Sequence, residues 1–165
     1  MKRSRIVFII VGSIVLAGVL MFAIVLFSPL TTAEQRIKKK AQVNLVFSGC
    51  KIEQETNTKG WMGDGEYLLV LDFTKNENSI IEQTHEFFDF PLSANLQTMM
   101  FERGVAKQIG IPTLNRGKWY FYDRFSDEIK DRRSDELLLT RPAYNYSLIL
   151  VDTDNCKLYY LEIDT

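Results

Sequence analysis

The sequence is poor in the residue types from which catalytic and metal sites are usually built. It has one histidine, His85, and two cysteines, Cys50 and Cys156, among 165 residues. A Ser-His-Asp or Cys-His catalytic set would have to include His85, and a structural zinc site needs four ligands. We therefore predict a surface histidine on a helix, two separate thiols, and no metal or cofactor site. A disulfide between the two cysteines is the alternative, and it would require an oxidising compartment.

Phosphate-binding motifs are missing as well. Gly63, Asp64 and Gly65 form a glycine-rich loop, but a strand-like run follows it, whereas a phosphate loop leads into a helix. Acidic residues, in contrast, are numerous enough to supply the paired carboxylates of a hydrolase. The candidates for such a pair are Asp64, Glu66, Asp72, Asp123 and Asp127.

One long apolar run extends from Ile6 to Phe27 and holds no charged residue. At about 1.5 Å per residue, a helix of this length spans the roughly 30 Å hydrocarbon core of a bilayer. A cleaved signal peptide is the alternative, but its apolar region normally has only about 7–15 residues. We predict an uncleaved transmembrane helix at 6–27 after a short basic tail at 1–5, with the lipid bilayer as the partner of the run.

The charges on the two sides of this run are nearly balanced. Lys2, Arg3 and Arg5 precede it, and Arg36 and Lys38 to Lys40 follow it. Basic flanks favour the cytoplasmic side, and a short charged tail is harder to translocate than a long domain. The prediction is a single-pass protein of the cell membrane with an extracytoplasmic domain. The opposite orientation would place the domain in the cytoplasm.

Residues 28–41 are predicted to form a basic juxtamembrane stalk. Thr32 and Gln35 have the spacing of a capping box, which predicts a short helix that begins there. Its basic side chains, Arg36 and Lys38 to Lys40, are expected at the level of the lipid headgroups.

Residues 42–165 are predicted to form one acidic α+β domain with a largely antiparallel sheet and one or two helices. After residue 40 the chain holds 13 Lys and Arg against 20 Asp and Glu. This balance repels nucleic acid phosphates and favours basic partners such as cationic peptides. The predicted strands cover 43–53, 66–73, 118–124, 143–153 and 156–163. One helix follows a cap at Ser93 and ends at Gly104, a second covers 79–88, and 126–136 is an exposed loop.

The last two strands are predicted to form a hairpin with a two-residue turn at Asp154 and Asn155. One face of this hairpin is apolar almost throughout, and the other is partly apolar, which predicts a central position in the sheet. The predicted cross-strand pairs are Tyr146–Ile163, Leu148–Leu161, Leu150–Tyr159 and the opposite-charge pair Asp152–Lys157.

The loop at 60–65 is the predicted binding site. Its candidate residues are Trp61, Gly63, Asp64 and Gly65. Glycine allows a partner to approach closely, and tryptophan supplies contact area. The alternative is that Trp61 folds back and covers the edge of the core.

Five motifs of the domain resemble a group of small proteins from Gram-positive bacteria for which no activity is known. They are Gly63–Glu66, Leu96–Thr98, Trp119–Arg124, Val151–Asp154 and Glu162–Thr165. The resemblance covers most of the chain after residue 41, implies a bacterial source and carries over no site residue.

The sequence thus predicts a membrane-anchored protein whose non-enzymatic extracytoplasmic domain binds a protein or peptide, or has a regulatory role. A membrane-tethered hydrolase that uses acidic residues is the first alternative. A cytoplasm-facing regulator of a membrane partner is the second.

Overall fold

The structure is a computed structural model that describes residues 29–125 and 129–165. The predicted transmembrane run Ile6 to Phe27 and the acidic candidate Asp127 lie outside the described residues. Within them, no helix combines the length and the apolar character of a membrane span. The described part of the chain forms a small α+β domain.

Six strands of the described chain form one antiparallel sheet. They are β1 (Lys51–Asn57), β2 (Gly65–Asp72), β3 (Phe88–Asp89), β4 (Gly117–Asp123), β5 (Asn145–Asp152) and β6 (Lys157–Asp164). Their order across the sheet is β1-β2-β6-β5-β4-β3. Strands β5 and β6 are central, as predicted, because apolar side chains on both of their faces have to be covered.

The predicted register of the β5–β6 hairpin is confirmed. The Cα partners include Leu148 with Leu161 and Leu150 with Tyr159. The turn, however, comprises the four residues 153–156 rather than two. It ends at Cys156, which has a φ of 50°.

The predicted ion pair between Asp152 and Lys157 does not form, although the two residues are register partners. Asp152 instead accepts hydrogen bonds from the backbone N–H groups of the turn that follows it, at 3.0 and 3.1 Å. Lys157 Nζ lies 2.5 Å from an oxygen of Glu53 on β1 and 3.2 Å from an oxygen of Asp72 on β2. Asp152 thus caps the turn and Lys157 binds two other carboxylates, so the two residues do not pair with each other.

The helices of the described residues are short except for the first. They are α1 (Pro29–Ala41), α2 (Glu77–Gln83), α3 (Ala94–Gln97) and α4 (Val105–Ile109). Ser93 caps α3 as predicted, because its hydroxyl accepts the N–H of Leu96 at 3.2 Å. Helix α3 continues as a π-helical turn at Thr98–Glu102. This turn ends before Gly104, whose φ is 81°.

Three predicted elements differ in the structure. Helix α2 ends at Gln83 instead of residue 88, because the chain turns there and Phe88 joins β3. Helix α4 was not predicted, since its five residues are too few to show periodicity. The predicted strand at 43–53 is wrong over its first half: Leu45 and Phe47 are buried without pairing in the sheet, and β1 begins only at Lys51.

Helices cover both faces of the sheet. On one face, α3, its π-helical turn and α4 pack through Leu96, Met100 and Ala106 against Leu148 and Leu161 of the central strands. On the other face, α1 and α2 cover a second core. Its members from these helices are Ala33, Ile37, Ala41 and Ile80, and those from the sheet include Leu69, Ile149, Val151 and Tyr160.

Helix α1 is a part of this second core, although residues 28–41 were predicted to be a stalk. Ala33, Ile37 and Ala41 recur at helical spacing and are buried against the sheet. Thr32 lies inside the helix and not at its cap. Arg36 points to the sheet and not away from the domain, since it pairs with a buried carboxylate.

Candidate functional site

The predicted binding loop connects β1 to β2 and is held by its own backbone. The N–H of Gly60 donates to the carbonyl of Asp64 at 2.9 Å, and the N–H of Gly63 donates to the carbonyl of Gly60 at 3.0 Å. Gly65 has a φ of 131°, and a Cβ there would lie 2.8 Å from the Cα of Lys59. Glycine is thus required at position 65 by a close backbone approach inside the loop, not by a partner.

Two large apolar side chains extend from this loop into solvent. Trp61 is 96% exposed and Met62 is 72% exposed. The alternative in which Trp61 covers the edge of the core is therefore wrong. The side chain of Asp64 is exposed beside them, so the loop presents an apolar surface next to a carboxylate.

Several chain segments meet at the end of the sheet that carries this loop. Gly65 at the start of β2 pairs with Asp164 at the end of β6, which also pairs with Asn145 at the start of β5. Strand β4 ends nearby at Asp123, since Asp123 pairs with Tyr146. The loop at 60–65 and the long connection between β4 and β5 therefore lie at the same end.

A fully buried carboxylate lies beside this end, on the face covered by α1. Glu162 accepts two hydrogen bonds from Arg36, from Nε to Oε1 at 2.5 Å and from Nη2 to Oε2 at 3.0 Å. Lys59 Nζ binds the same Oε2, and the Tyr160 hydroxyl donates to Oε1 at 2.8 Å. Arg36 comes from α1, Lys59 directly precedes the binding loop, and Tyr160 lies in β6, so the carboxylate links these three parts of the chain.

The ion pairs continue from Glu162 towards β4. Lys59 Nζ also lies 2.5 Å from Oδ2 of Asp164, and Arg124 Nη1 lies 2.6 Å from the other oxygen of Asp164. Arg124 is held further by Ser147 Oγ at 3.2 Å. We call the series Arg36, Glu162, Lys59, Asp164 and Arg124 the ion-pair chain. It connects the inner face of α1 with the base of the Trp61 loop and the end of β4.

The charges of the ion-pair chain alter the acidity of their neighbours. Burial alone would raise the pKa of Glu162, but hydrogen bonds from Arg36, Lys59 and Tyr160 lower this pKa to about 2. Burial, followed by the nearby charge of Arg124, lowers the pKa of Lys40. Glu162 is therefore ionised throughout the neutral range, although water does not reach it.

A cavity of about 630 Å³ opens at the same end, between β4 and the connection that follows it. Asp123 and Arg141 lie in its wall, and Arg141 Nη1 is 2.5 Å from Asp123 Oδ2. Sequence reasoning missed this cavity because it treated 126–136 as an exposed loop. A signal in the sequence could have been Leu137–Leu139, an apolar run directly after the charged segment.

The acidic candidates for a hydrolase site are not gathered in the described residues. Asp72 lies at the opposite end of the sheet, where hydrogen bonds from Thr74 and then Lys157 lower its pKa to about 2. Asp123 is bound to Arg141, while Asp64 and Glu66 belong to the Trp61 loop and the start of β2. The two carboxylates of a hydrolase pair are expected to lie close together. No two of these described carboxylates share a hydrogen bond donor in the structure.

The other candidate residues occupy ordinary positions. His85 is exposed, as predicted, but it lies in the turn after α2 and not on a helix. Cys50 and Cys156 are free thiols, and burial raises the pKa of each. Within residues 29–125 and 129–165, no three His, Cys, Asp or Glu side chains are grouped so that they could hold a metal ion.

Comparisons with known proteins gave no match to this chain. This holds for protein-family models, for curated proteins and for solved structures. The resemblance to small proteins of Gram-positive bacteria therefore stays a prediction.

Proposed function

We propose that the protein is anchored in the cell membrane by the run Ile6 to Phe27 and that its extracytoplasmic domain binds a protein or peptide without catalysing a reaction. The observation that supports this proposal most directly is the exposure of Trp61 on an ordered loop. Tryptophan is over-represented among the residues that contribute most to binding. A loop that is already ordered also loses little conformational entropy when a partner binds.

The charge around Trp61 favours a basic partner. Asp64 is exposed in the same loop, and Glu55 is exposed on the neighbouring edge strand β1. Acidic side chains around an apolar anchor attract a basic peptide and orient it. The partner proposed is therefore a peptide segment that combines an apolar side chain with Lys or Arg.

A regulatory role is supported by the ion-pair chain. Lys59 directly precedes the binding loop and shares Glu162 with Arg36 of α1. The ion-pair chain holds the loop in one orientation relative to α1. Helix α1 in turn follows the proposed membrane anchor in the sequence. A partner bound at Trp61 would thus be held at a defined position relative to α1.

The experiment selects peptides from a phage-displayed library with the full-length chain in detergent. Peptides that bind the wild-type chain are then titrated against Trp61→Ala and against Phe88→Ala, which removes a partly exposed aromatic side chain at the other edge of the sheet. We expect Trp61→Ala to weaken binding by about tenfold or more, since each tenfold change corresponds to about 1.4 kcal/mol. Phe88→Ala should leave the affinity unchanged.

The melting temperature separates binding from structure. Trp61→Ala is expected to leave it unchanged, because a side chain that contacts solvent contributes little to packing. Equal peptide affinity for the wild-type chain and Trp61→Ala would contradict the proposal. A fall of several degrees in the melting temperature would show instead that Trp61 is structural.

A further inference from the structure

The sheet has one long edge that no other strand covers among the described residues. Strand β1 stands first in the strand order and pairs only with β2. The strand at the other edge, β3, has two residues, whereas β1 has seven. All residues of β1 except Ile52 are exposed, and within 29–125 and 129–165 no segment besides β2 bonds to its backbone. An open strand edge of this length can pair with an extended segment of another chain.

The register identifies the backbone groups that are free at this edge. The N–H of Thr58 donates to the carbonyl of Glu66 at 2.9 Å, which makes these residues a hydrogen-bonded pair. Hydrogen-bonded and non-bonded pairs alternate along antiparallel strands. Because Asn57 and Glu55 are one and three positions before Thr58 in the same register, their N–H and C=O groups point away from β2. An added antiparallel strand can bond to both residues.

A groove of about 320 Å³ lies beside this edge, on the face of the sheet that carries α4. Alternate residues along the edge form its outer wall, namely Gln54, Thr56 and Thr58. Leu68 and Ile109 supply apolar surface, and Glu66 is the one charged residue among the described lining residues. In an antiparallel sheet, side chains of paired residues lie on the same face. Every second side chain of an added strand would therefore lie beside this groove.

The Glu66 carboxylate favours a cationic side chain in the groove. Glu66 is half-buried and forms hydrogen bonds only through its backbone in the described chain, where its carboxylate has no ion-pair partner. Neighbouring strands lie about 4.8 Å apart, so an added strand lies about 10 Å from β2. A lysine or arginine side chain spans this distance along Leu68 and brings its charge to Glu66.

The charge of the edge also opposes a second copy of the chain as the added strand. Glu55 is exposed on β1, and its carboxylate accepts the Tyr67 hydroxyl at 2.7 Å without a cation beside it in the described chain. Two copies of β1 would bring identical carboxylates together, and like charges on paired strands are destabilising. A basic peptide, in contrast, is attracted to the same edge.

We propose that the open edge of β1 binds a basic peptide as an additional antiparallel strand, with alternate lysine or arginine side chains in the groove towards Glu66. This rests on the proposed function for the class of partner and adds how the peptide backbone is held. Bonds to the backbone of Glu55 and Asn57 supply affinity, and the groove supplies the preference for basic side chains. A peptide that extends beyond Asn57 is directed towards the loop at 60–65, which follows β1 in the chain.

The test measures, by fluorescence anisotropy, how tightly the full-length chain in nonionic detergent binds three dye-labelled peptides of alternating lysine and valine. One is unmodified, one is N-methylated on its valines, and one is N-methylated on its lysines. With lysines towards the groove, the valine N–H groups face β1 and the lysine N–H groups face solvent.

Methylation of the valines should therefore weaken binding by about tenfold or more, because hydrogen bonds to β1 are lost, and methylation of the lysines should leave it unchanged. The two methylated peptides have the same charge, so attraction by charge alone binds both equally. Equal affinities, or no binding of the unmodified peptide at millimolar concentration, would overturn the proposal. Weaker peptide binding at higher chain concentration would assign the edge to a second copy and overturn it too.

Two variants separate the groove from the Trp61 loop. Glu66→Gln should bind the unmodified peptide about tenfold more weakly. Its matched control is Glu82→Gln, at an exposed position of α2, and should bind as the wild-type chain does. If Trp61→Ala binds normally while valine methylation still weakens binding, the edge binds the peptide and the proposed role of the loop fails. If Trp61→Ala weakens binding but both methylated peptides bind equally, the loop is the site and strand addition is refuted.

Discussion

Arg36 of α1 and Glu162 of β6 are 126 positions apart in the sequence and form a bidentate ion pair. The carboxylate is fully buried, and the guanidinium carbon lies 3.6 Å from the centroid of the Tyr67 ring. Helix α1 therefore cannot leave the sheet without separating a buried charge from its partner. This pair makes the helix next to the predicted membrane anchor an integral part of the domain.

Removal of the Arg36 charge should destabilise the domain substantially. Arg36→Met keeps an unbranched side chain over Tyr67 but leaves Glu162 with Lys59 as its remaining cationic partner. Breaking a buried ion pair from one side typically costs about 3–5 kcal/mol, and we expect a loss of about 3 kcal/mol. Urea unfolding of the full-length chain in detergent measures the difference. The matched control is Arg116→Met, whose exposed pair with Asp154 should contribute less than about 0.5 kcal/mol.

Acid should weaken the fold through Glu162. The pKa of Glu162 is about 2 in the folded protein and 4.5 for an ordinary glutamate. Because the folded-state pKa is the lower one, the stabilisation is complete above pH 4.5 and is lost as the pH falls from 4.5 towards 2. We expect the melting temperature to fall in this window and to fall less in Glu162→Gln. The control is Asp64→Asn, at an exposed carboxylate of the loop at 60–65, and its pH curve should match that of the wild-type chain. Identical pH curves for Glu162→Gln and the wild-type chain would contradict the buried ion pair.

Two buried tyrosines should respond in opposite ways to loss of the hydroxyl. The Tyr160 hydroxyl donates to Glu162 at 2.8 Å, whereas the Tyr146 hydroxyl has no hydrogen bond partner in the described part of the chain. Tyr160→Phe should cost about 1.5–3 kcal/mol, because a hydrogen bond to a charged group is lost. Tyr146→Phe should leave stability unchanged or raise it by up to about 1 kcal/mol, since no bond is lost. Denaturant unfolding of both variants is the measurement, and a larger loss for Tyr146→Phe would show that its hydroxyl is bonded.

The central hairpin should be sensitive to truncation. Leu150 pairs with Tyr159 and is buried in the core beneath α3 and α4. Leu150→Ala should therefore cost about 2–5 kcal/mol of unfolding free energy, as measured by urea unfolding. Leu137→Ala, at an exposed leucine, is the control and should cost less than about 0.5 kcal/mol. A loss of less than about 0.5 kcal/mol for Leu150→Ala would contradict the strand register.

Topology is tested by protease accessibility. If the domain is extracytoplasmic, protease added to intact protoplasts should degrade it, because the membrane does not shield it. The matched control is a protein known to be cytoplasmic in the same protoplasts, which should survive until lysis. Digestion of the domain only after lysis would reverse the orientation and favour the cytoplasm-facing regulator.

Local patterns were sufficient for the central strands. Strand periodicity and a short connection specify the β5–β6 register, because neighbouring strands of a hairpin pair without any distant segment. The same holds for Ser93, whose cap depends on residues three positions away. The predicted strand at 43–53 failed because alternation shows only that Leu45 and Phe47 are buried, and burial against helices and sheet gives the same pattern as a strand.

The sequence by itself determined that residues 42–165 contain an antiparallel α+β domain with a central C-terminal hairpin, and it identified the loop that carries Trp61. Only the tertiary structure decided that Trp61 faces solvent, that α1 belongs to the core, and that Arg141 lines a cavity. Glu162 shows the physical reason. Its own position in a strand is local information, but the charges that allow it to be buried come from Arg36 and Lys59, which approach it only when the chain folds.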